Sequence, residues 1–98
     1  MSFYSNKPQP LGAVLQEWID RMGLRSKIDA ARVVEAWAVV AGRQVNAVTD
    51  AAWVKGGTLY VRITSAAWRH ELHLRRHAWR DRLNEQLGQE LVREIVFR

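Results

Sequence analysis

A chain of 98 residues with 48% hydrophobic content is one domain, long enough to bury roughly 60–70% of the surface its unfolded form exposes; so modest a core leaves little room for a deep substrate cleft and ranks an enzyme behind a binding module. Lys and Arg outnumber Asp and Glu by 15 to 10, a net charge of +5, which points to polyanions or acidic protein surfaces as partners. The absence of Cys excludes disulfides, thiol catalysis and thiolate metal sites.

The first residues, MSFYSNKPQP, are polar and carry Pro8 and Pro10, so residues 1–10 are expected to be a flexible tail that ends in a helix-start signal. They lack a basic region followed by a hydrophobic run, and nowhere does the chain approach the ~18 uninterrupted apolar residues of a membrane span. A soluble cytoplasmic protein with no membrane partner is the expectation, with residues 11–98 forming the single folded domain. Leu11, Val14, Leu15, Trp18, Ile19 and Met22 recur at helical spacing, and Gly23 supplies a stop. Ser26 followed by Asp29 resembles a capping box and opens a second helix through Ile28, Val33, Val34, Trp37 and Val40, ended by Gly42.

RQVNAVTD is ambiguous, and then AAWVKGGTLYVRIT reads as two β-prone runs joined at Gly56 and Gly57, where a hairpin needs positive φ. Leu59, Val61 and Ile63 alternate with Thr58, Tyr60, Arg62 and Thr64, giving one buried and one polar face. Ser65 caps a long helix that runs to Gly88, and LVREIVF is a final strand closing the sheet. The fold class is therefore α+β, in the order α-α-β-β-α-β, with a three-stranded sheet covered by the helices on one face. Of the five Trp, Trp18, Trp37 and Trp68 sit centrally in apolar arcs and are assigned to the core. Trp53, on the less regular first strand, is the candidate for partial exposure, as a sheet-face filler or a contact residue.

On the long helix Trp68, Leu72, Trp79, Leu83 and Leu87 form the packing arc. Beside it fall Arg69, His73, Arg76, His77 and Arg80, with Asn84 continuing the line, while Glu71 is placed to pair with Arg75 and both Asp81 and Glu85 lie on the far side. This cationic stripe is either a solvated face or a phosphate-binding surface, for which Arg forks and imidazoles are suitable donors. The string HELH around His70 and His73 is one residue short of the His-Glu-x-x-His of metalloproteases. No metal and no cofactor are expected, and no catalytic residue is assigned.

The strings VVEAWAVVAG, GGTLYVRITSAAWRHEL and RLNEQLGQELVREIVFR resemble the DciA family of bacterial proteins, whose better-studied members are partners and loaders of the replicative helicase. The similarity covers nearly the whole chain from Leu11 onward. Its specificity lies in the combination of Trp37 before Gly42, the Gly57-Thr-Leu hairpin exit, Ser65-x-x-Trp68-x-x-Glu-Leu72, and Leu83-Asn84 near Gly88. The resemblance implies a KH-like fold, association with the hexameric helicase and some affinity for DNA. The Gly-x-x-Gly backbone clamp of RNA-binding KH modules is missing from the sequence, so side chains would have to hold phosphates. The longer partners it resembles continue into a flexible basic tail, so the expectation for a chain ending at Arg98 is a folded docking module.

Two functions follow as expectations. The first is a non-enzymatic replication adaptor that contacts the replicative helicase and binds single-stranded or forked DNA weakly through Arg62, Arg69, His73, Arg76, His77 and Arg80. The alternative is a protein–protein interaction module, homo-oligomeric in one version, without direct nucleic-acid binding.

Overall fold

The computed structural model describes residues 11–98; the tail expected over residues 1–10 lies outside the described residues, as does the side chain of Ile19. The elements in chain order are α1 (Leu11–Arg21), α2 (Leu24–Ala47), β1 (Thr49–Lys55), β2 (Thr58–Ile63), α3 (Ala66–Leu74), α4 (Arg76–Leu87) and β3 (Glu94–Phe97). The protein is α+β, with an open three-stranded sheet in the order β1-β2-β3. No helix of the described residues is long and apolar enough to cross a membrane.

Local chemistry sets most of the boundaries. Lys55 pairs with Thr58 across the antiparallel β1–β2 hairpin, and the intervening Gly56 and Gly57 take φ of 58° and 82°, values that cost a side-chain-bearing residue strain. The Ser65 hydroxyl accepts the Trp68 N–H at 3.2 Å and caps α3. Gly88, at φ 75°, closes α4. β3 then returns parallel to β2, with Leu59 beside Ile95 and Val61 beside Phe97, a pairing that the α3–α4 crossover makes possible.

The core lies between one face of the sheet and the helices. Leu59, Val61 and Ile63 of β2 and Ile95 and Phe97 of β3 meet Val33, Trp37 and Val45 of α2, Leu72 of α3 and Leu83 of α4, all buried. Trp37, 1% exposed, sits at the centre. It meets Trp79 edge-to-face at 5.5 Å and Phe97 at 5.7 Å, and its indole N–H has no hydrogen-bond partner among the described residues. Aromatic contact thus outweighs one unmet donor.

The structure corrects several expectations. The long helix is two helices: Arg75, at φ −108° and ψ 20°, ends α3 and precedes α4. The i+3 and i+4 positions after the buried Leu72 are Arg75 and Arg76, so the packing arc lacks an apolar residue there until Trp79. Gly42, at φ 77° and ψ 178°, kinks α2 without ending it, and the ambiguous stretch continues the helix to Ala47 because Val45 still reaches the core. No side chain caps the start of α2; Ser26 donates its hydroxyl to the Gly23 carbonyl at 3.4 Å instead. Helix α1 packs on α2 rather than on the sheet. Its Leu11, Leu15 and Trp18, and Met22 just after it, are therefore exposed, Trp18 at 57%, so Trp18 is not a core residue, whereas Trp37 is buried and Trp68 is half-buried.

Candidate nucleic-acid interface

The residues expected to form one cationic stripe separate into groups once the helix breaks. Arg76, His77 and Arg80, in the first turns of α4, line an open groove of about 410 Å³ together with Thr58, Arg93, Glu94 and Ile95. The sheet contributes as much to this site as the helix does. Arg93, at the entry to β3, was not among the residues expected from sequence. It is held there from two directions: its backbone N–H donates to the Gly57 carbonyl at 2.9 Å and its Nη2 donates to the Gly56 carbonyl at 2.7 Å. The guanidinium lies so close over Gly57 that a Cβ there would fall 2.9 Å from Arg93 Nε, which adds a packing reason to the conformational one for glycine at that turn.

Asn84 belongs to this scaffold rather than to the stripe. Its Nδ2 donates to the Val92 carbonyl at 2.8 Å and its Oδ1 accepts the Val92 N–H at 2.9 Å. Both backbone groups of Val92, one residue before Arg93, are thereby satisfied by one amide. A second open groove, about 290 Å³, shares Arg80 and Arg93 and extends past Asp81, Asn84, Glu90 and Val92.

The arginines of the site are not bare. Arg76 Nη1 donates to the His73 carbonyl at 3.1 Å, at the end of α3, and lies 3.4 Å from His73 Nε2. Arg80 pairs with Asp81 at 3.0 Å, which corrects the placing of Asp81 on the far side; with Asp81 69% exposed the pair is worth little and leaves the guanidinium's other donors free. The expected pair of Glu71 and Arg75 forms at 3.2 Å. His77 and His73 are exposed, and among the described residues no three His, Asp or Glu side chains gather as metal ligands would.

Arg69 lies apart from the groove. It reaches back from the first turn of α3 to donate Nη2 to the Ile63 carbonyl at 2.8 Å, and its Nε is buried without a partner among the described residues. It fastens α3 to the end of β2. Arg62 is on the opposite face of the sheet, 3.6 Å from Asp50 and over the ring of Trp53 at 5.4 Å. The six residues named from sequence thus divide among the groove (Arg76, His77, Arg80), its margin (His73), a strand-to-helix tie (Arg69) and the sheet's other face (Arg62).

What the groove can do follows from its chemistry. It is open, has no enclosed apolar pocket and presents guanidinium and imidazole donors in one place, an arrangement suited to a phosphate backbone rather than to reading base edges. No curated protein matches the chain. The family model described as Dna[CI] antecedent, DciA, matches residues 10–97; it represents a replication family associated with loading of the helicase, and over nearly its whole length the chain belongs to the DciA family.

Proposed function

We propose that the protein is a non-enzymatic adaptor of DNA replication that contacts the replicative helicase and binds single-stranded or forked DNA weakly through the basic groove of α4 and the β3 entry. The observation that carries the DNA-binding half is the convergence of Arg76, His77, Arg80 and Arg93 on one open groove; family membership carries the helicase half. Arg76, Arg80 and Arg93 take phosphates, His77 and His73 flank them, Arg62 extends the contact on the sheet's other face, and Arg69 holds the helix that carries His73. Glu94 on the groove wall sets a limit on how closely a strand can follow it.

Three arginine contacts at roughly 0.7 counterions each predict that log K falls with log salt at a slope near −2, and an affinity that is micromolar or weaker at physiological salt. Such a grip serves a domain that the helicase already holds beside its strand. The test is fluorescence anisotropy of labelled oligo-dT over a salt series, with the helicase added in a parallel titration. Arg76→Gln/Arg80→Gln/Arg93→Gln is expected to make the salt slope much shallower, leaving only the share of arginines outside the groove such as Arg62, while helicase binding persists. Equal DNA binding by parent and variant at low salt would refute the groove.

The alternative, a protein–protein module without direct nucleic-acid contact, is favoured by one observation. The apolar side chains Leu11, Leu15 and Trp18 of α1, with Met22 directly after it, stand exposed at helical spacing, a pattern that in soluble proteins marks an interaction surface. In this reading the arc carries the partner and the groove is solvated; a parent chain that binds helicase but no DNA at low salt selects it.

A further inference from the structure

The sheet face turned away from Leu59, Val61 and Ile63 carries chemistry that the groove does not use. Register places Trp53 of β1 directly across from Tyr60 of β2, and the rings stack with centroids 5.6 Å apart and planes 12° from parallel. Arg98 donates its N–H to the Val61 carbonyl and accepts that of Ile63, both at 2.8 Å, which seats it beside Arg62. The guanidinium of Arg62 lies 5.4 Å from the Trp53 ring centre and that of Arg98 lies 4.6 Å from the Tyr60 ring centre. Two parallel rings are thus flanked by two cations. Both rings are half-buried and both arginines are exposed, so the aromatic pair is covered by side chains that can swing away, not by core.

We infer that this open face is a base-stacking platform for single-stranded DNA, with Trp53 and Tyr60 taking bases and Arg62 and Arg98 the flanking phosphates. The inference rests on the single-strand reading above and adds to it a second surface. Magnitudes favour the exchange. An exposed cation–π contact is worth about 2- to 5-fold, whereas a stacked base contributes about 5- to 150-fold in affinity and does so for any base, because every base has a π face. An arginine displaced from a ring gains a phosphate, a charge-assisted partner that its fork fits. Asp50, 3.6 Å from Arg62 with both side chains more than half exposed, does not hold that arginine in place.

The platform and the groove join. Thr58, Tyr60 and Arg62 alternate onto one face of β2, and Thr58 also lines the groove. Two residues along a strand span roughly 7 Å, a step that an extended single strand covers with about one nucleotide. Glu94, paired with Thr58 in the sheet register, is a carboxylate on that path, so the strand must pass on the Tyr60 side of it.

The experiment compares labelled oligo-dT with an abasic strand of equal length on the full chain at low salt. The parent is expected to bind oligo-dT at least 5-fold more tightly. Trp53→Leu/Tyr60→Leu is expected to erase that ratio and bind both strands as the parent binds the abasic one. Trp53→Phe/Tyr60→Phe, which keeps two rings, is expected to retain most of the ratio, and Arg76→Gln/Arg80→Gln to weaken both strands without changing it. A parent that binds both strands equally overturns the platform alone, and a parent that binds neither overturns it together with the single-strand reading beneath it. A leucine pair that keeps the ratio but loses the helicase makes this face a protein contact and also overturns the inference. Because the ratio is read on the parent chain, it decides the matter even where the leucine pair disturbs the sheet.

Discussion

Asn84 offers the sharpest test of how the groove is held in shape. Its side-chain amide meets both the N–H and the carbonyl of Val92, at 2.9 and 2.8 Å, and Val92 itself is 2% exposed. Asn84→Ala removes both hydrogen bonds, each worth about 0.5–1.5 kcal/mol net, and leaves two backbone groups short of partners where water has poor access, so the expected loss is about 2–4 kcal/mol. With an m-value of about 1–2 kcal/mol/M for a domain of this size, the urea midpoint should fall by about 1–4 M. Asn84→Asp separates the two bonds. The aspartate still accepts the Val92 N–H, but its second oxygen replaces an amide donor that stood 2.8 Å from the Val92 carbonyl, and two acceptors then face each other.

A protonated aspartic acid can donate to that carbonyl, so the folded state raises this carboxyl above its unfolded value of about 3.9. The native state then binds more protons than the unfolded state between the two values. Stability from this group is therefore fully present below the unfolded value and is lost as pH rises through the folded one. Urea melts of Asn84→Asp and of the parent should diverge as pH increases from about 4 to about 8, with the variant weaker at the upper end. A midpoint for Asn84→Ala within about 0.3 M of the parent, or a constant gap for Asn84→Asp across that range, would show that the amide is not what fixes the β3 entry.

Trp37→Ala should cost about 3–5 kcal/mol in the same denaturation assay, because it empties the contact shared by α2, Trp79 and Phe97. Arg69→Gln should lower stability by about 1–2 kcal/mol through loss of the bond to the Ile63 carbonyl, yet leave the salt slope of DNA binding unchanged; a slope that became shallower would return Arg69 to the phosphate contacts.

Much of the fold is written locally and was legible for that reason. The hairpin needs only glycines at Gly56 and Gly57, the α3 cap only Ser65, and the end of α4 only Gly88. The alternation of Leu59, Val61 and Ile63 with Tyr60 and Arg62 declares the buried face of the sheet without reference to any other element. Features decided by packing between distant segments were not legible. The break at Arg75 leaves no proline or glycine to mark it, and α1 has the periodicity of a core helix although, among the described elements, it packs mainly on α2. Periodicity reports that a helix has an apolar face; it does not report what covers that face.

The same division runs through the basic residues and explains why a charge count could not separate them. Arg32 donates to the Leu87 carbonyl at the end of α4, Arg76 to the His73 carbonyl at the end of α3, Arg69 to the Ile63 carbonyl at the end of β2, and Arg93 to the Gly56 carbonyl in the hairpin. The last carbonyls of a helix lack intrahelical partners and carry partial negative charge, and a strand-end or turn carbonyl can likewise lie outside the ladder, so an arginine at any of these satisfies the backbone and keeps its own charge. A guanidinium has five N–H donors. One that spends a single donor on a carbonyl still presents the rest of its fork, now fixed in direction. Arg76 and Arg93 are fixed in this way at the groove, so less side-chain entropy is lost when a phosphate arrives, while the buried Nε of Arg69 shows the opposite outcome, a guanidinium drawn inward by the same kind of bond. On a helical wheel Arg69 and Arg76 are equivalent neighbours. In the fold one closes a joint and the other faces the groove, and only the position of the carbonyl that each of them found decides between the two.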